Sequence, residues 1–373
     1  MPFSHTSYSK REIVVAGKLL GQRLEVATEE VREAFRIAHD WRAAHAYPMH
    51  RIRLELSGKV RRDGGKGLTA ARVKRMASVR RKLAASPVTL YQMQDLAGIR
   101  AIMPDAEAVD RVAGLFAPSE TRHLLQREDN YITAPRDSGY RSRHLILKFQ
   151  EGGGSGPYDR QTVEVQLRTR LQHAWATAVE AVGLIRDEHI KGGEGSTGWR
   201  RFFALMAGEI AARERTAPVP GVSEDALIRR AELSDLDDAL GAIRELDGLN
   251  EGLAATENLP GANAYFLLRF DRASRTVTVK PYASPLTGGR AYDAADGFGA
   301  SGTDVLIEVD RIADLRAAYP NYFLDVRHFL AVARAAVGGW DLPLEVGTAA
   351  ATEPIPDPEF AWLRDYQRRR LIR

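Results

Sequence analysis

The chain has 373 residues and no cysteine, which excludes disulfides, thiolate nucleophiles and cysteine-ligated zinc or iron–sulfur centres. Its 44% hydrophobic and 27% charged residues fit a soluble globular protein with room for two domains. The net charge of +4 conceals an asymmetry: residues 51–82 hold twelve bases against Glu55 and Asp63, for +10, and residues 221–257 hold ten acids against three arginines, for −7. Such blocks predict that one of them binds something anionic. The acidic block reads as a solvated helical face or as a surface docking on the basic one.

Residues 10–56 read as mostly helical, with apolar positions Val26, Val31, Phe35 and Ile37 near helical spacing. No apolar run approaches the ~18 residues of a membrane span. Glu12 and Glu25 flank the first apolar stretch and no small-residue cleavage site follows, so a secretory signal is not expected and a cytoplasmic location is. Gly64, Gly65 and Gly67 interrupt the pattern, and a helix is predicted over 69–84, stopped by Ser86-Pro87. Strands follow at 98–103, 142–149 and 162–169, with helices at 106–116 and 170–185. Residues 213–222, with Pro218 and Pro220, read as a linker. Beyond the helical acidic block, strands at 265–270 and 276–282 flank a hairpin signal, DRASR, before a strand at 305–309 and a helix at 322–337. Pro354, Pro356 and Pro358 mark an extended stretch ahead of a basic tail. The pattern predicts an α/β (α+β) fold with a mixed sheet flanked by helices, and a second, smaller α+β domain. The expected division is 1–212, a linker at 213–222, and 223–373.

Within the basic block, Lys74, Ser78 and Lys82 are spaced i, i+4, i+8, which on a helix makes one stripe with about 6 Å per step. Such a stripe suits nucleotide phosphates, a non-specific nucleic-acid patch or plain solvation. Neither GxxxxGK[ST] nor GxGxxG occurs, so P-loop and Rossmann sites are not indicated. Asp95, just before a strand, is a sound magnesium ligand or a loop cap. Glu164 faces opposite to Val163 and Val165, in line with Gln166 and Arg168. That face is either the solvent side of an edge strand or, with Asp95, a two-carboxylate metal and base site. Tyr140, entering a strand after Gly139 and followed by Arg141 and His144, could stack on a nucleobase or serve as a packed aromatic. His39-Asp40 lacks the second acidic pair of a metal hydrolase, and His173 reads as a packing residue.

Taken in order, RVKRMASVRRK, QDLAGIRAI, DNYITAPRDSGYRSRH and VEVQLRTRLQHAWA resemble the synthetase domain of the RelA/SpoT family, over roughly residues 30–190. The resemblance implies a nucleotidyltransferase-like synthetase domain and a GTP diphosphokinase activity. The β,γ-pyrophosphate of ATP would pass to the ribose 3′-hydroxyl of GDP or GTP, giving the stringent-response alarmones ppGpp and pppGpp and releasing AMP. It implies that Arg72, Lys74, Ser78 and Lys82 hold the ATP phosphates, that Asp95 binds Mg2+, and that Arg100 steadies the donor. Tyr140 would stack on guanine with His144 near the acceptor. Glu164 would bind Mg2+ or take the 3′-hydroxyl proton, with Gln166 and Arg168 beside it. Positioning, charge neutralisation and one base are what phosphoryl transfer needs.

Arg143 stands where the family commonly has leucine, and Arg136 where it has lysine. Glu180 follows Trp175 by five residues, whereas small synthetases often carry an acid at four, so no role is carried onto Glu180. The hydrolase domain of the bifunctional relatives is not expected in the residues ahead of the motifs, and the C-terminal modules of the long enzymes are not recognisable. The alternative is a toxin of the same fold that modifies the tRNA 3′-CCA end or adenine nucleotides, held in check by residues 223–373. Those residues are expected to be regulatory or inhibitory, with a protein trigger or antitoxin as partner. A homo-oligomer is a further expected assembly, and a membrane is not an expected partner.

Overall fold

The structure is a computed structural model that describes residues 3, 5–152, 156–186, 188, 190, 195–251, 265–271, 276–282, 284–295, 304–309, 326–340 and 342. The helical N-terminus resolves into α1 (Lys10–Leu20), α2 (Glu29–Ala44) and α3 (Ala46–Arg62). Ser9 and Glu12 form a reciprocal capping box at the start of α1, and the Thr28 hydroxyl accepts from the Val31 amide at the start of α2, supplying acceptors that helix starts lack. The apolar faces of α1 and α2 close a cluster of Ile13, Leu20, Phe35 and Trp41 over Val79 and Leu90. The next elements are β1 (Leu68–Val73), α4 (Met76–Ala85), a 3-10 turn (Leu90–Gln92), β2 (Ala97–Met103) and α5 (Ala106–Gly114). They are followed by β3 (Leu124–Asn130), β4 (Arg143–Lys148), β5 (Thr162–Thr169), α6 (Arg170–Arg186) and α7 (Thr197–Glu214).

One prediction is corrected here. The helix expected over 69–84 begins only at Met76, because Leu68–Val73 is a strand. In β1, Ala71 and Val73 join the apolar core while Arg72 between them is only partly buried. β1 is hydrogen-bonded to β2 on one side and to a C-terminal strand on the other, a tertiary pairing that overrides local helical spacing. Lys74 therefore precedes the helix that carries Ser78 and Lys82, and the three do not share one helical stripe.

The C-terminal part contributes α8 (Ala226–Leu240), α9 (Ala242–Glu251), β6 (Tyr265–Asp271), β7 (Thr276–Tyr282), α10 (Pro285–Ala295), β8 (Asp304–Val309) and α11 (Arg327–Val337). Its strands extend the N-terminal sheet, giving eight strands in the order β3-β4-β5-β2-β1-β8-β6-β7. Only β2 and β5 run parallel; the other neighbours are antiparallel. Leu267 of β6 and Tyr292 of α10 join the same core as Ile99, Val165, Leu145 and the α3 residues Ile52 and Leu56. Residues 1–342 form one compact unit. The division at 213–222 remains a proposal about independent folding, because the sheet itself crosses it.

The charged blocks find partners throughout this unit. Arg53 and His50 meet the buried Glu308 at 2.9 and 2.6 Å, Lys59 meets Glu55 at 3.0 Å, and Arg62 meets Glu120 at 2.7 Å. The acidic helices pair outward, Glu232 with Arg201, Glu245 with Arg186 and Asp247 with Arg334. The basic tail, the prolines at 354–358 and the turn at 272–275 lie outside the described residues. Among the described residues, no helix is long and apolar enough to cross a membrane.

Candidate active site

Alternation in the central strands sorts their residues onto two faces. One face carries Ala97, Ile99, Ala101, Val163, Val165 and Leu167 into the core. The other is polar, and the registers align it in two rows. Arg72 of β1, Gly98 of β2 and Glu164 of β5 lie side by side, and beside them lie Arg100, Gln166 and His144 of β4. β5 is thus an inner strand between β4 and β2, so the edge-strand alternative for its Glu-Gln-Arg face does not hold. Gly98 leaves a gap between two charged neighbours. A Cβ built there would meet only the Arg72 carbonyl, at 3.7 Å, so the missing side chain is cleft space rather than a backbone necessity.

This face opens as a cleft of about 270 Å³ lined by Arg72, Lys74, Asp95, Arg100, Arg136, Tyr140, His144, Glu164 and Gln166, with Gly98 and Ile99 at its floor. Eight of the eleven residues singled out in the sequence line it. Lys82 reaches it through Asp95, and Arg168 lies beneath it, almost wholly buried. Ser78, on α4, is not a lining residue. Arg136 was noticed only as a departure from the family motif. It stacks at 4.5 Å over Tyr131 and donates to that hydroxyl at 2.9 Å, and a basic residue just before a glycine-tyrosine loop was the signal for it.

Asp95 accepts from Lys74 Nζ at 2.8 Å through Oδ2 and pairs with Lys82 Nζ at 3.0 Å through Oδ1. Burial pushes the Asp95 carboxyl up, but Lys74 and Lys82 outweigh it and hold the group below its usual range. Burial, with the charges of Lys82 and Arg72, lowers Lys74 against the upward pull of Asp95. The Lys74 amide donates to the Leu96 carbonyl at 2.8 Å, fixing the turn that aims its side chain.

Glu164, near enough for its charge to act on Asp95, faces His144 Nδ1 at 2.9 Å and accepts from Gln166 Nε2 at 2.7 Å. Burial would raise its carboxyl, yet the His144 hydrogen bond and charge, with Gln166 and Lys74, bring it down to about 2. For His144 the order is the same: burial lowers it, Tyr140 and Glu164 raise it, and the net shift is upward. His144 Nε2 contacts the Tyr140 hydroxyl at 2.8 Å, which accepts from Arg168 Nη2 at 2.7 Å. Tyr140 is only 7% exposed, with Arg168 at 5.2 Å from its ring centre and the Tyr131 ring edge-on at 5.8 Å.

Two ionised carboxylates in a cleft rich in cations fit a hard divalent ion that takes one or two carboxylates and fills its shell with phosphate oxygens. Among the described residues, no group of three or more acidic, histidine or cysteine side chains forms a closed metal cage. His39 and Asp40 diverge: His39 meets Asp293 at 2.8 Å, and Asp40 accepts from the Thr6 hydroxyl at 2.6 Å. His173 is buried on α6.

Residues 71–183 match the family model described as the region found in RelA / SpoT proteins, and this span contains every residue predicted for the site. GTP pyrophosphokinase YjbM of Bacillus subtilis is 34% identical over 110 residues, covering 28% of this chain and 51% of the relative. A GTP pyrophosphokinase of Escherichia coli (strain K12) is 23% identical over 188 residues, covering 50% of this chain and 24% of the relative. The chain therefore spans about half of the first relative's length and a quarter of the second's. Among solved structures, the small alarmone synthetase 1 of Bacillus subtilis bound to its product pppGpp aligns with 26% identity over 36% of this chain and 74% of that chain, at a TM-score of 0.31.

Proposed function

We propose that this cleft transfers the β,γ-pyrophosphate of ATP to the ribose 3′-hydroxyl of GDP or GTP, releasing AMP. The observation that carries the reading is the placement of two ionised carboxylates, Asp95 and Glu164, in one cleft lined by Arg72, Lys74, Arg100 and Arg136, within the RelA/SpoT region. Lys74 and Lys82 pair with Asp95, Arg72 and Arg100 line the same cleft, and these four bind the donor, with Ser78 of α4 as a further phosphate contact. Arg136, Tyr140 and His144 form the acceptor end, where the tyrosine ring meets the guanine.

Asp95 and Glu164 would hold Mg2+, which neutralises phosphate charge when bound. The 3′-hydroxyl loses its proton as it attacks the β-phosphorus in line, and the bond from that phosphorus to the AMP oxygen breaks. Glu164 takes that proton, with the His144 imidazole beside it at 2.9 Å. Gln166 and Arg168 fix the orientation of Glu164 and Tyr140.

Purified protein incubated with ATP labelled in its β-phosphate should place the label on GDP or GTP and release AMP. Label on tRNA or on an adenine nucleotide instead would replace this reading with that of the toxin. Full activity in Glu164→Ala would remove the site assignment.

A further inference from the structure

We propose that Asp293, on α10 of the C-terminal part, is a positioning residue for ATP, acting on Lys74 through Arg42. Arg42 of α2 is almost wholly buried and holds two groups far apart in sequence. Its Nη1 donates to the Lys74 carbonyl at 3.3 Å, and its Nη2 donates to Asp293 Oδ1 at 2.8 Å. The guanidinium plane lies 4.4 Å from the centre of the Tyr292 ring, a geometry that adds cation–π attraction to the ion pair. His39 meets the same Asp293 oxygen at 2.8 Å.

The Lys74 carbonyl lies one residue ahead of the helical ladder, whose first bond runs from the Val79 amide to the Arg75 carbonyl. Arg42 supplies a donor to it from outside the helix. On the other side, the Lys74 amide is tied to Leu96, next to Asp95. The peptide groups flanking Lys74 are thus held by Leu96, just ahead of β2, and by α2, and the hold from α2 is itself fixed by α10. Remove the carboxylate at 293 and Arg42 loses the ion pair at 2.8 Å that anchors it to α10, so the turn that aims Lys74 Nζ at the donor phosphates loosens. The C-terminal part is, on this geometry, a support for the donor end of the cleft rather than a brake upon it. The inference rests on the reading of Lys74 as a donor-binding residue.

The test uses full-length protein with Asp293→Asn, Arg42→Lys and the pair combined. Calorimetry reads the affinity for a non-hydrolysable ATP analogue and, separately, for GDP. Each single variant should weaken analogue binding by roughly fivefold or more with GDP binding held within about twofold, and the double variant should be no worse than either single. Asp293→Glu, which keeps the charge, should recover part of the loss, and Arg42→Lys carries the test if Asp293→Asn does not fold. Unchanged analogue affinity in variants with native circular dichroism, or equal losses for both nucleotides, overturns the proposal. If wild-type protein binds the analogue but transfers nothing to GDP, the functional reading fails, and the analogue affinities still decide the role of Asp293.

Discussion

Arg72, which lines the cleft, lies in register with Ile307 of β8. The strand that carries a site residue thus has a C-terminal strand as its neighbour, and Arg53 of α3 meets Glu308 in the same strand. Cutting the chain at 213–222 would expose the edge of β1 along a row of unpaired peptide groups and leave Arg53 buried without its carboxylate. A fragment of residues 1–222 is expected to aggregate or to melt well below the full chain, as monitored by circular dichroism. Glu308→Ala in the full chain should cost about 3–5 kcal/mol of unfolding free energy. A stable and fully active fragment would show instead that the two parts fold independently.

Asp95 is the point where Lys74 and Lys82 converge. Asp95→Asn keeps the shape but leaves Lys74 and Lys82 facing a neutral amide, and it removes one of two carboxylates fit for a divalent ion. AMP release should fall by on the order of 10²-fold or more, with thermal stability changed far less. Near wild-type turnover would remove Asp95 from the chemistry.

Gly98 separates steric from functional effects. Because a Cβ there has only an ordinary contact with the Arg72 carbonyl, Gly98→Val should fold. Its two methyl groups project into the gap between Arg72 and Glu164, so KM for ATP should rise by on the order of tenfold or more. Gly98→Ala should do much less. Steady-state kinetics on both variants decides it, and a wild-type KM in Gly98→Val would mean that the gap is not used by a substrate.

How much of this was legible in the sequence depends on the range of the interaction that decides each feature. The alternation in TVEVQLRT placed Glu164, Gln166 and Arg168 on one face, because a strand's period of two is local. The order of the four motifs brought Asp95, Tyr140 and Glu164 into one site. β1 was hidden because LTAARV has no apolar run, and its strand state is set by β2 and β8 on either side. The positions of Arg42 and Arg53 were hidden for the same reason: their carboxylate partners, Asp293 and Glu308, lie some 250 residues away along the chain. In the sequence one was an arginine of a predicted helix and the other a member of the basic block; in the fold both are buried struts.

His45, at the junction of α2 and α3, offers a pH-dependent test independent of the active site. It is 1% exposed, its ring stands edge-on to Trp41 at 4.6 Å, and its Nδ1 donates to the Trp41 carbonyl at 2.8 Å. Burial lowers it from 6.5 to about 4, against a smaller upward pull from that carbonyl. Below pH 6.5 the unfolded chain takes up a proton at this site, whereas the folded chain does so only near pH 4. The unfolded state therefore binds more protons in that window, and stability falls as the pH falls through it, by up to about 3 kcal/mol from this residue. His45→Asn keeps an N–H donor near the Nδ1 position and cannot titrate. It should be less stable than wild type at pH 7 but lose less between pH 6.5 and 4, because the carboxylates that titrate near the lower limit are common to both proteins. Urea unfolding at several pH values measures the difference, and parallel curves for the two proteins would show that His45 is not the group responsible.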